Sequence, residues 1–187
     1  MSVVDVVISS LPEQGIRRFE NERVALFTDG DNTLFKPGTA ELYADVRPFL
    51  DNSTVETIML VSANPDEDLA RERAELIGAN YEIPKRRQWV KAGLFSRAIG
   101  RATQIAGFDR AVVLGDRFLM DVTVGKMALL DADIKSLGVL VRRPETLSTP
   151  PTRFDKLFLC PIERVGYFGS MMLRADGYFR PRVNEEI

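Results

Sequence analysis

A chain of 187 residues with 45% apolar side chains can bury a core of single-domain size, and a net charge of −2 offers no whole-chain electrostatic case for nucleic acid. With no histidine and a single cysteine, Cys160, the chain lacks the usual Ser and Cys triads, His-containing zinc sites and any internal disulfide, so catalysis is confined to carboxylates, lysine, hydroxyls and a hard metal. The N-terminus has no signal-peptide pattern and no apolar run approaches the ~20 residues of a membrane span, which together with the lone thiol leads us to expect a cytoplasmic protein.

In chain order, residues 2–9 are apolar and read as a short helix or an edge segment. Val24 to Phe27 is an apolar run that ends abruptly in Asp29 and Asp31, followed by Asn32 and Thr33. This reads as a buried strand delivering two acids to its C-terminal edge, the place where open α/β sheets bind ligands. Lys36-Pro-Gly38 turns the chain, and Leu42, Val46, Phe49 and Leu50 mark one face of a helix over 41–50. Val55 to Val61 is a second strand ending in Ser62, after which Asn64 as N-cap, Pro65 in the first turn and a closing Gly78 predict a helix over 65–77. A short strand at Asn80–Ile83 and the basic loop Lys85-Arg-Arg-Gln-Trp89 lead to a helix from Leu94 to Ala106. Ala111–Leu114 is a strand ending in Gly115-Asp116, with Asp121 beyond, and Gly138–Val141 is another. Alternation of strands and helices predicts an α/β fold, a Rossmann-like doubly wound parallel sheet of four or five strands, with residues 1–187 forming one domain and a peripheral tail over 150–187.

Three chemistries compete for Asp29-Gly-Asp31-Asn-Thr33. An Asp/Asn turn after a strand is ordinary loop chemistry. A calcium loop beginning at Asp29 would need Gly sixth and Glu twelfth, where the chain has Leu34 and Ala40. A phosphoryl-transfer site would use a carboxylate as nucleophile, a second acid as proton shuttle and magnesium between them. Polar groups at three strand ends, Asp29 with Asp31, then Ser62, then Asp116 with Asp121, favour the last.

These stretches carry a resemblance. Phe-Thr-Asp29-Gly-Asp31-Asn-Thr-Leu and Val-Val-Leu-Gly-Asp116-Arg-Phe-Leu-Met-Asp121-Val are similar to the first and fourth motifs of the haloacid dehalogenase (HAD) superfamily of phosphatases. More narrowly, the chain resembles the YqeG-type, phosphatidylglycerophosphate phosphatase-like branch from about Gly15 to about Arg164, with looser matches at Thr152-Arg-Phe and Ile162-Glu-Arg164. The resemblance implies that Asp29 forms an aspartyl-phosphate, that the carbonyl of Asp31 ligates Mg2+ while its side chain protonates the leaving group, and that Ser62 hydrogen-bonds the phosphoryl. It further implies that Asp116 completes the metal site, with Asp121 ligating through water or orienting a lysine. No Lys-Pro of the third motif occurs between Ser62 and Asp116; Lys91, opening the Leu94 helix, is the preferred phosphate-facing lysine and Lys85 the alternative, either being otherwise a surface lysine. Asn64 joins the phosphate-binding set. Thr33, with Asn32, either braces the phosphate loop or is simply a turn residue.

Between Asp29 and Ser62, and between Ser62 and Lys91, there is room for a helix and a strand only, so a capless, open site is expected, suited to a bulky phosphomonoester such as a lipid head group, a phosphorylated macromolecule or a glycan. The loop at 85–89 and the tail with Phe154, Phe158, Tyr167, Phe168, Met171, Met172 and Leu173 have the composition of a peripheral contact with the inner face of a membrane; the alternative is a tail packed on the sheet and a soluble loop. The expected function is a magnesium-dependent phosphatase acting on phosphatidylglycerophosphate or a similar ester. The alternatives are a catalytically weak phosphate-binding or assembly protein of the same fold, and a phosphotransferase or phosphonatase sharing the aspartyl-phosphate.

Overall fold

Five consecutive buried residues, Val24–Thr28, form strand β2 at the middle of a parallel sheet, as expected of a strand covered on both faces. The structure, a computed structural model, describes residues 4–17, 22–86, 91–144 and 182–183. The other strands are β1 (Val6–Ile8), β3 (Thr57–Val61), β4 (Asn80–Glu82), β5 (Arg110–Gly115), β6 (Lys135–Val141) and the two-residue β7 (Arg182–Val183). Their order is β4-β3-β2-β5-β6-β1-β7, every pairing parallel. From β2 the chain builds outward through β3 and β4, then returns to start β5 on the other side of β2. The β2/β5 boundary is therefore the topological switch point, where a crevice opens at the strand ends.

Alternation along each strand divides two cores. Val24, Leu26, Leu60, Val112, Leu114 and Val139 face one way, against Leu34, Phe35, Phe49 and Ile77. Ala25, Phe27, Met59, Val61, Ala111 and Val113 face the other, against Leu94, Phe95, Ala98, Ile99 and Ala102 of helix α3 (Ala92–Ile105) and Leu129 of helix α4 (Val124–Asp131). Helices α1 (Val46–Asp51) and α2 (Glu67–Ile77) lie on the first face through Phe49 and Ile77. The doubly wound α/β architecture expected from the sequence is thus the one observed.

Several local expectations change. The segment 2–9 holds a strand, β1, flanked by β6 and β7. The helix expected over 41–50 begins only at Val46, because Glu41 O accepts from Lys36 N (2.8 Å), Tyr43 N donates to Leu34 O (3.0 Å) and Leu42 bridges Phe35. Those backbone groups are already committed to a hairpin and cannot serve a helix. The N-cap of α2 is Asp66, whose Oδ1 accepts from Leu69 N (3.0 Å), while Asn64 Oδ1 accepts from Asp66 N (3.2 Å) in the turn before it. Between Asp116 and Gly138, where no helix was expected, a π-helix (Phe118–Thr123) runs into α4. Among the described residues the strand count rises from four or five to seven. Among the described residues no helix is long and apolar enough to cross a membrane. Trp89 and the tail apart from Arg182 and Val183 lie outside the described residues, as do the expectations placed on them.

Candidate active site

Asp29 N donates to Leu114 O (3.1 Å), so the β2/β5 ladder continues one residue past β2 and sets Asp29 beside the end of β5, where Asp116 follows Gly115. Asp121 joins them from the π-helix. Both Asp121 N and Val122 N donate to Arg117 O (3.3 Å), and the widened turn swings Asp121 back, where its Oδ2 accepts from Arg117 N (3.1 Å). Such single π-turns recur at functional sites. Gly115 permits the approach: a Cβ there would lie closer than 3.0 Å to the Asp121 side chain. If the acids hold a divalent cation, Gly115→Ala is expected to push Asp121 away and weaken its binding, measurable by calorimetric titration; unchanged affinity would show the close approach to be dispensable.

One carboxylate oxygen from each of Asp29, Asp116 and Asp121 lies within 4.8 Å of the others. Lys91, the N-cap of α3, reaches into this cluster and is buried. Its Nζ donates to Asp29 Oδ1 and to Val61 O (3.0 Å), and pairs with Asp121 Oδ1 at 2.7 Å. Burial opposes the Lys91 charge, but Asp121 and Asp29 overcome it and hold the pKa above that of an ordinary lysine. Burial raises Asp29 to about 6, with Asp121 and Asp31 adding to the shift and Lys91 opposing it. Asp116 is pushed well up by burial, then by Asp121 and Asp29, with Arg117 and Lys91 opposing. Three carboxylates around one ammonium are short of positive charge. Their hard oxygen donors fit a hard divalent cation, which Asp29, Asp116 and Asp121 would hold.

A cleft of about 420 Å³ opens over the cluster, lined also by Asp31, Asn32, Ser62, Asn64, Arg117 and Met120. Ser62 Oγ accepts from Asn64 N (3.2 Å), which leaves its own O–H to donate. Lys85 is exposed and outside the lining, so the structure places Lys91, and not Lys85, at the acids. Thr33 is fully buried and does not reach the cleft; its carbonyl accepts from Arg143 Nε and Nη2 (3.0 and 2.8 Å), so it belongs to the loop's support. The Asp31 carboxylate stands apart from the acid cluster, its Oδ1 accepting from Arg73 Nη2 (2.6 Å) and Gly38 N (2.9 Å).

Two buried arginines escaped the sequence reading. Arg143 also grips both oxygens of Asp45 (2.9 Å each) and lies 4.0 Å from the Tyr43 ring centroid. Arg73 is the largest fully buried side chain described. A signal existed for it: Ala70, Arg73, Ala74 and Ile77 share the buried face of α2, so an arginine stands on an apolar stripe.

The fold and site together define a doubly wound parallel α/β protein with an acid cluster and a buried lysine at its switch point. Compared with family models, curated proteins and solved structures, the chain matches none.

Proposed function

We propose that the protein is a magnesium-dependent phosphatase that hydrolyses a phosphomonoester through an aspartyl-phosphate on Asp29. The observation that carries this reading is the cluster of Asp29, Asp116 and Asp121 at the sheet's switch point, with Lys91 paired to Asp29 and Asp121. A phosphomonoester dianion repels a carboxylate nucleophile, so positive charge must be in place before attack, and catalysis is mostly positioning and electrostatics. Magnesium held by the three acids would supply part of that charge. Lys91 supplies the rest, and Ser62 donates a hydrogen bond to the phosphoryl group. An Asp29 oxygen attacks phosphorus as the bond to the leaving oxygen breaks, and Asp31 gives that oxygen a proton. Water then attacks the aspartyl-phosphate while Asp31 takes its proton, returning the Asp29 carboxylate and releasing inorganic phosphate.

The described segments on either side of Ser62 hold only a hairpin with α1 and β3 on one side and α2 with β4 on the other, which supports an open site and a bulky substrate, phosphatidylglycerophosphate or another phosphoester of similar size. With a lipid substrate the protein would work in the cytoplasm at the inner face of the membrane. The second reading is a phosphate-binding or assembly protein with weak turnover, which would keep the same cleft and acid cluster.

Hydrolysis of a chromogenic aryl phosphate with magnesium, and its loss in excess EDTA, is the deciding experiment. Full activity in EDTA would sink the metal-dependent mechanism, and no turnover with magnesium would leave the phosphate-binding reading. In the same assay Lys91→Ala should lower turnover by about 10²-fold or more, the scale of losing one preorganised charge donor. Lys85→Ala should leave it essentially unchanged. The reverse ranking would move the phosphate-facing role to Lys85.

A further inference from the structure

A guanidinium buried to 1% exposure is costly unless its charge and donors are all used, and Arg73 spends them on one loop. From α2 it passes beneath the hairpin after β2, where Nε donates to Thr39 O (2.7 Å) and Nη2 to Lys36 O (3.4 Å) and to Asp31 Oδ1 (2.6 Å). Its guanidinium carbon lies 5.0 Å from the Phe35 ring centroid. On its remaining side is Gly30, where a Cβ would come within 2.9 Å of Nη1. A side chain at position 30 would thus crowd the Arg73 guanidinium. The same hairpin supplies the second donor to Asp31, Gly38 N (2.9 Å to Oδ1).

We propose that Arg73 is a positioning residue for Asp31. Resting on the phosphatase reading, the inference is that Arg73 and Gly38 N clamp Oδ1 and so aim Oδ2 at the reacting groups in the cleft that Asp31 lines. With two N–H donors on Oδ1, Oδ2 is the oxygen that gives the proton to the leaving group and later takes one from water. A side chain held in one rotamer by a charge-assisted bond needs no reordering at the moment of proton transfer. Lysine would keep the charge but not the fork that binds Thr39 O and Asp31 together.

The test compares phenyl phosphate, a poor leaving group that needs a proton, with dinitrophenyl phosphate, a good one that does not, in magnesium. Arg73→Lys should lower kcat for phenyl phosphate by about 10²-fold, the low end of general acid–base contributions, with KM little changed. Its burst of dinitrophenolate should persist while turnover after the burst slows. Gly30→Ala, which removes no charged group and only crowds the guanidinium, should show the same selectivity to a smaller degree. The double variant Arg73→Lys/Asp31→Asn should be no slower than Asp31→Asn alone, since the two act as a unit. A dinitrophenolate burst slowed as much as phenyl phosphate turnover, or additive losses in the double variant, would reduce Arg73 to a structural support and overturn the inference while leaving the phosphatase reading intact. Absence of magnesium-dependent turnover in the unaltered protein would overturn both.

Discussion

Asp29→Asn is expected to abolish phosphoenzyme formation and to bring hydrolysis to background, whereas Asp31→Asn should still form the phosphoenzyme from an activated aryl phosphate and release it slowly. The two acids are separated by one glycine in sequence, but the structure gives them different surroundings. Asp29 sits inside the cluster with Asp116 and Asp121 and bonds Lys91, and an amide there is a poor attacking group. Asp31 bonds Arg73 and Gly38 N outside that cluster, so its replacement spares the three carboxylates that would hold the cation. What it would remove is the proposed proton shuttle, a role worth about 10²–10⁴ in rate, and the loss would fall on the step in which water must be activated. Acid quench of both variants during reaction with dinitrophenyl phosphate measures the trapped phosphoenzyme. Trapping in Asp29→Asn but never in Asp31→Asn would exchange the two roles, and undiminished turnover in both would return these residues to an ordinary turn.

The strand ends were legible in the sequence because each is marked twice, by an apolar run and by the polar residue that stops it. Val24–Phe27 before Asp29, the run to Val61 before Ser62, and Ala111–Leu114 before Asp116 all fall where the sheet places them. What periodicity could not carry was structure of only one or two periods. β1 has three residues and β7 two, and the π-helix is a six-residue widened turn that brings Asp121 against Gly115. The helix expected from Leu42 failed for a similar reason, since an i, i+4 apolar pair serves equally a hairpin whose residues pack on the core.

The site was legible as an inventory of acids but not as an arrangement. Spacing alone could not choose between Lys91 and Lys85; the choice depends on α3 starting at Ala92, so that its N-cap lysine points back over β3 to Val61 O. Thr33 looked equivalent to its neighbours in the loop, yet the turn that closes on Gly30 O, with Leu34 N at 3.1 Å and Phe35 N at 2.9 Å, carries it inward. Arg73 was hidden by its company, lying between Glu72 and Ala74 in a helix rich in charge, where only its register with Ala70 and Ile77 marks it as interior.

The metal-free protein should lose stability as pH rises, and magnesium should restore it. Asp29 goes from an ordinary 3.8 to about 6 in the folded state, and Asp116 is also raised well above 3.8. Between these values the folded state keeps protons that the unfolded chain has already released, so stability falls with rising pH and the loss is complete only above the folded pKa. A divalent cation binds the charged form of these acids and reverses the preference, so magnesium should raise the melting temperature more at pH 7.5 than at pH 5. Other carboxylates contribute with the opposite sign: Glu22 is lowered first by its hydrogen bond to Arg110, and Asp109 by that to Arg23. The decisive comparison is therefore with Asp29→Asn, which carries no proton at this position in either state. In EDTA at pH 7.5 the variant should melt above the parent, and the gap should close toward pH 4; in magnesium the order should invert. A variant that melts below the parent in EDTA at every pH would mean that the Lys91 pairing outweighs the burial of Asp29, and that the acid cluster is satisfied without a cation.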